Sequence, residues 1–184
     1  MDLPADLLEK VKSTHRKHKT LLIGIDGLGG SGKTTLSEYL KENLDNVSIV
    51  QLDDFYSPEL NRADRDRVLK QVLFPLINDA EANYQIFDWR SNALNDWRTI
   101  HPGGIVIIEG VSALHSDFAG KYDFRIWINC SPETGFKRGM ERDKARDGVD
   151  HTDKWLDIWM PQEKAYVESQ NPQLRADYIL DGAG

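Results

Sequence analysis

Leu21-Leu22-Ile23-Gly24-Ile25-Asp26-Gly27-Leu28-Gly29-Gly30-Ser31-Gly32-Lys33-Thr34 is the stretch that decides the reading of this chain. Leu21 to Ile25 is a short, unbroken apolar run, the pattern of a strand buried on both faces, and Asp26-Gly27 ends it. From Thr34 to Leu44 the residues Leu36, Leu40 and Leu44 recur every fourth position, the mark of an amphipathic helix. The glycine-rich turn between them, Gly27 to Thr34, fits G-x-x-x-x-G-K-[ST].

A strand, this turn and a helix in that order predict a loop that cradles phosphate; a purely structural glycine turn is the alternative. Glycines let successive N–H groups point inward and let the backbone approach an anion closely. Lys33 supplies a mobile positive charge for β- and γ-phosphates, and the Thr34 hydroxyl offers a ligand to Mg²⁺. The N-terminus of the helix adds partial positive charge. Gly27, Gly29, Gly30, Ser31, Gly32, Lys33, Thr34 and Thr35 are therefore the candidate nucleotide site, with ATP and Mg²⁺ as the implied cofactors.

Outward from this stretch the chain alternates. Strands are predicted over Val47 to Leu52, Ile105 to Ile108, Phe124 to Ile128 and Tyr178 to Leu180. Helices are predicted over residues 3 to 12, from about Asn61 to Asp79, from Ser131-Pro132 onward, and around Trp155 to Ser169. Ser131 suits an N-cap with Pro132 at the first helical position, and Asp147-Gly148 reads as a helix stop and hinge. Strands separated by helices imply a parallel sheet of five strands with helices on both faces, an α/β P-loop NTPase fold. A single domain over 1–184 is expected, with an aromatic, turn-rich insertion at about 82–104 and a helical lid at about 132–150.

Composition narrows the classes. With 184 residues the chain can bury a sizeable core, and 40% hydrophobic and 29% charged residues is ordinary globular usage. A net charge of −7 argues against broad nucleic-acid coating. One cysteine, Cys130, excludes an internal disulfide and a cysteine-based zinc cage, and the cytoplasm is the expected compartment. No run approaches the roughly 18 apolar residues of a membrane helix, so no membrane partner is expected. Homo-oligomerisation is compatible with the sequence. His15 and His18 lie in a basic run without a nearby carboxylate or third histidine and read as a solvated helix end.

In open parallel sheets ligands sit outside the carboxyl ends of the strands. Asp53-Asp54 ends the second predicted strand and Glu109 the third. Glu109 follows four apolar residues and precedes Gly110, a position suited to holding Mg²⁺ directly or through water; a charge for the next helix is the alternative. Arg138, Arg142 and Arg146 recur every fourth residue and form a basic stripe along the predicted helix, read either as a phosphate-facing group or as a solvated face paired with Glu141, Asp143 and Asp147. Of five tryptophans, Trp127, Trp155 and Trp159 are expected in the core.

Gly27 to Thr34, Asp53-Asp54-Phe55-Tyr56, Phe87-Asp88, Ile108-Glu109-Gly110, Arg142-Asp143 and Ala176-Asp177-Tyr178-Ile179, in that order, resemble the uridine kinase family of P-loop kinases. The resemblance runs over about residues 20 to 181. It implies that Asp53 is a general base accepting the proton of a substrate hydroxyl, while Asp54 stands where the family often has serine. It implies that Tyr56 and Asp88 line the acceptor site, a carboxylate being suited to two vicinal hydroxyls. It also implies that Arg142, with Arg138 and Arg146, closes as a lid over the transferring phosphoryl group. Structural roles in a cap or an aromatic turn are the alternatives for Asp53 and Asp88.

The chain departs from the family in the short stretch Trp89 to Ile108, where longer segments recognise the base, and His101-Pro102 has no counterpart. The resulting expectation is an ATP- and Mg²⁺-dependent transfer of a γ-phosphoryl group to a small-molecule hydroxyl, best a nucleoside or similar polyol. A pantothenate-like or glycerate-like alcohol is an alternative acceptor, and a nucleotide-dependent switch or ATPase without one is an alternative class. No Asn-Lys-x-Asp guanine-reading segment is present, and nucleic acid is not an expected partner.

Overall fold

A computed structural model describes residues 5–56 and 61–182. Its elements in chain order are α1 (Ala5–Ser13), β1 (Leu21–Gly27), α2 (Lys33–Asn43), β2 (Val47–Gln51), α3 (Arg62–Val68), α4 (Phe74–Ile77), β3 (Ala82–Asp88) and β4 (Ala93–Ile100). β5 (Ile105–Glu109), α5 (Ser116–Ala119), β6 (Phe124–Asn129), α6 (Pro132–Asp147), α7 (Thr152–Lys154), α8 (Met160–Gln170) and β7 (Tyr178–Asp181) follow. β2, β5, β1, β6 and β7 form, in that spatial order, one sheet in which every neighbouring pair is parallel. All five strands predicted from the apolar runs are present.

Alternate residues of the central strands feed two cores. Leu21, Ile23, Ile25, Ile105 and Ile107 face α1 and α2, packing on Leu7, Val11, Leu36 and Leu40. Leu22, Val106 and Ile108 face the other way, toward Val68, Val72, Leu76, Phe118 and Tyr122. Burial of both faces is why these strands read as continuous apolar runs rather than as alternation. Gly24 leaves room on the second face for the Tyr122 ring, which a β-carbon there would meet at 2.6 Å.

The helix predicted from Asn61 onward is one continuous rod, α3 to α4, joined by a wider π-type turn over Leu69–Leu73. A second such turn, Trp155–Trp159, joins α7 to α8. Each lies just ahead of a proline, Pro75 and Pro161. A proline has no N–H for the carbonyl four residues back and its ring crowds that carbonyl; an extra residue in the preceding turn relieves both. Asn61 begins the rod with a complete capping box with Asp64, and Ser131 Oγ caps α6 by accepting from Thr134 N at 3.1 Å. Gly148, with φ +71°, ends α6 as predicted.

The stretch 82–104, expected only as aromatic and turn-rich, is a β-hairpin: β3 and β4 pair antiparallel, with an irregularity between Gln85 and Phe87. β3 buries Ala82, Tyr84 and Phe87, whereas β4 is exposed except for Ile100. Tyr84 stacks on Phe55 at 5.1 Å, and Arg67 donates to the carbonyls of Phe55 and Gln85, which fastens the hairpin beside the end of β2. Among the described residues no helix is long and apolar enough to cross a membrane.

Candidate active site

The phosphate loop leaves the carboxyl end of β1 at the centre of the sheet. Lys33 begins α2, yet its Nζ turns back to donate to the carbonyls of Gly27 and Leu28, both at 2.9 Å, which fixes the ammonium beside the loop. Gly30 has φ +70°, and a side chain there would run into the Gly135 carbonyl of α6. The glycine is thus demanded by backbone conformation and by a close approach of two backbones. Gly32, with φ +101°, caps α2 in the same left-handed region. Ser31 is fully buried, and Thr35 lies exposed on the first turn of α2.

The floor beneath the loop is Asp26, fully buried at the end of β1. Its carboxylate accepts from the N–H groups of Gly27 at 2.7 Å, Ser112 at 3.1 Å and Leu114 at 2.8 Å, and from the Tyr166 hydroxyl at 2.5 Å. Burial pushes this carboxyl up; the bonds from Tyr166, Leu114 and Gly27 and the Lys33 charge pull it down. One side chain therefore ties the loop to the segment after β5 and to α8.

Glu109 ends β5 with Ile25 of β1 on one side and Gln51 of β2 on the other. It is 5% exposed, and its Oε1 accepts from Thr34 Oγ1 at 3.0 Å. Burial raises its carboxyl above the usual range, Lys33 and Thr34 lower it, Asp53 raises it and Arg142 lowers it. A hydroxyl and a carboxylate in contact beside a lysine are hard oxygen donors of the kind Mg²⁺ takes.

The two aspartates after β2 are set apart by their surroundings. In the short turn Leu52–Asp54, Asp53 is exposed and its backbone carbonyl accepts from Trp89 Nε1 at 3.1 Å. Asp54 is largely covered, pairs with Arg98 Nη1 of the hairpin at 3.1 Å, and has its carboxyl raised by burial against the pull of Arg98.

Tyr56 and Asp88 have other occupations. The Tyr56 ring is buried and its hydroxyl donates to the Val111 carbonyl at 2.8 Å. Asp88 holds the hairpin turn: one carboxylate oxygen accepts from Arg90 N at 2.8 Å, the other from Ser91 Oγ at 2.8 Å and Asn95 Nδ2 at 2.9 Å. These bonds, the Arg90 N–H first, hold its carboxyl below the usual range.

The three arginines predicted at every fourth residue all lie on α6, and two of them meet Asp143, one of the acids that the solvated-face reading names. Arg142 Nε and Nη2 reach Asp143 Oδ1 at 3.0 and 2.9 Å, and Arg146 Nη2 approaches the same oxygen at 3.5 Å. Asp143 is 1% exposed and accepts from Trp155 Nε1 at 3.0 Å through its other oxygen. Arg138 Nη1 instead donates to the Gly182 carbonyl at 2.6 Å, beyond β7.

Three contributors to the site fall outside the sequence reading of function. Trp155, expected as core, is also the wall of the loop: its ring fills the space where β-carbons on Gly29 and Gly139 would stand. Glu163 of α8 accepts from Gly29 N through Oε1 at 3.0 Å. Asp26 is the third, and it alone has a local signal, an acid closing an apolar run directly before the loop. Glu163 meets Gly29 across 134 residues of chain, and nothing adjacent to it announces the contact.

The AAA domain family profile matches residues 23–166, from within β1 to α8. Human nicotinamide riboside kinase 1 is 34% identical over 98 residues, which is 50% of this chain and 49% of that protein. Uridine kinase of Macrococcus caseolyticus is 24% identical over 187 aligned positions, 90% of each chain. The solved structure of a possible uridine kinase from Bacillus stearothermophilus superposes with a TM-score of 0.70 at 20% identity, covering 95% of each chain. With the phosphate loop at the end of central β1, Glu109 at the end of its neighbour β5 and Asp53 just after β2 on the far side of β5, the chain belongs to the AAA domain family and is a P-loop small-molecule kinase, similar to the uridine kinases.

Proposed function

We propose that the protein transfers the γ-phosphoryl group of ATP, with Mg²⁺, to a hydroxyl of a nucleoside or similar polyol. One observation carries this reading: Thr34 of the phosphate loop donates to Glu109 Oε1 at 3.0 Å, so the loop that would hold the phosphates meets the acid at the end of β5, on which the charges of Lys33, Asp53 and Arg142 also act. Thr34 and Glu109 would hold the metal, which would supply positive charge against the phosphate oxygens.

The loop amides and Lys33 orient the phosphates. Asp53, exposed at the neighbouring strand end, accepts the proton of the acceptor hydroxyl as its oxygen bonds to phosphorus and the bond to the ADP oxygen breaks. Arg142 lies 57% exposed on Asp143, and releasing one face of its guanidinium lets it meet the charge that grows on the transferring group. The hairpin bounds the acceptor side through Trp89, which is 50% exposed and pinned to the Asp53 carbonyl. The names of the two curated relatives, uridine kinase and nicotinamide riboside kinase, support a riboside as acceptor.

Coupled ADP release tests the reading. Across nucleosides, vitamins and sugar acids, a riboside is expected to raise ADP release well above the rate with ATP alone. Turnover of ATP that no acceptor increases would make the protein an ATPase or switch. A response to a pantothenate-like or glycerate-like alcohol alone would keep the kinase and replace the acceptor.

A further inference from the structure

Helix α8 leans on the phosphate loop with two side chains one turn apart, Glu163 and Tyr166, which share a helix face at this spacing. Tyr166 holds Asp26 beneath the loop, and Glu163 holds the Gly29 N–H within it. The Glu163 carboxyl is pushed up by burial and pulled down by the Lys33 ammonium and by the Gly29 bond; Asp26 and Arg142 are the other charges that act on it. The Trp155 ring packs against the same glycine. A loop amide is a partner a phosphate would use here, so a carboxylate held by the Gly29 N–H, with the Lys33 charge acting on it, stands in a phosphate's role.

We propose that Glu163 competes with the phosphates of the nucleotide for the loop, so that binding of the nucleotide displaces its carboxylate from the Gly29 N–H. The inference rests on the nucleotide-site reading above. Like charges brought together in a partly buried site repel, so the carboxylate opposes the phosphate chain as long as it stays in place. Because Glu163 and Tyr166 belong to one helix, displacement also loosens the hold of α8 on the loop.

The test is calorimetric binding of ATP and of adenosine to the full chain and to Glu163→Gln. Glutamine keeps the length of the side chain and an oxygen for the Gly29 N–H while removing the charge. The variant is expected to bind ATP about tenfold tighter, equivalent to about 1.4 kcal/mol, with adenosine affinity unchanged. Glu163→Ala, its fold checked by circular dichroism, should show the same direction. Equal or weaker ATP binding in the folded variants would overturn the competition, as would an equal gain for adenosine, which carries no phosphate. ATP binding to neither the wild type nor the variants would overturn the nucleotide-site reading together with the inference.

Discussion

The two ends of the site are built differently. At the nucleotide end the loop is braced by protein: Asp26 beneath it, Gly135 against Gly30, Trp155 and Glu163 against Gly29, and two carbonyls on Lys33. At the proposed acceptor end Asp53 is exposed, Trp89 is half exposed, and β4 presents nearly its whole length to solvent. Groups backed by protein keep their surroundings whichever acceptor binds, whereas groups standing in water take their working geometry only with the acceptor in place. Changes at the loop should therefore act whatever the acceptor, and changes at the hairpin should depend on it.

The largest effect is expected from Lys33→Ala. Without the ammonium the phosphate charge is uncompensated, and kcat/KM should fall on the order of 10²- to 10³-fold for every acceptor, read by coupled ADP release. The two carbonyls it loses lie at the loop rather than in the cores, so circular dichroism should still report a folded chain. A loss that varied from acceptor to acceptor would erase the contrast between the two ends.

The smallest effect is expected from Asp88→Asn. Asparagine can still accept from the Arg90 N–H and hold the turn, so the acceptor KM should change by less than about threefold while the ATP KM stays level. A rise of about tenfold or more would mean that the carboxylate binds acceptor hydroxyls directly, since a lost charge-assisted bond costs about 1.5–3 kcal/mol. That outcome would move Asp88 from the turn into the acceptor site.

The same contrast governed what the sequence disclosed. The loop was legible because its demands are local: φ +70° at Gly30 and φ +101° at Gly32 call for glycine within one short motif, and the apolar run before it follows from burial on both faces. Glu109 was legible for the same reason, as an acid closing a buried strand. The hairpin was not, because β4 is exposed and its side chains carry no buried alternation to read. Spacing every fourth residue placed three arginines on α6 but could not show that Asp143 would take two of them while Arg138 reached Gly182. The partnership of Glu163 with Gly29 is a product of the whole fold, in which α8 returns to the loop after the sheet is nearly complete.

The claim that joins the two ends is that Asp53, and not its neighbour, takes the proton of the acceptor hydroxyl. It is tested most directly by comparing Asp53→Asn with Asp54→Asn at saturating ATP and acceptor, with ATP affinity measured separately. Asp53→Asn should lower kcat by about 10²-fold or more with ATP affinity nearly unchanged, because an amide keeps the shape but accepts no proton. Asp54→Asn should be milder, since that carboxylate pairs with Arg98 and serves the hairpin. A kcat near that of the wild type in Asp53→Asn, or a larger loss in Asp54→Asn, would contradict the account.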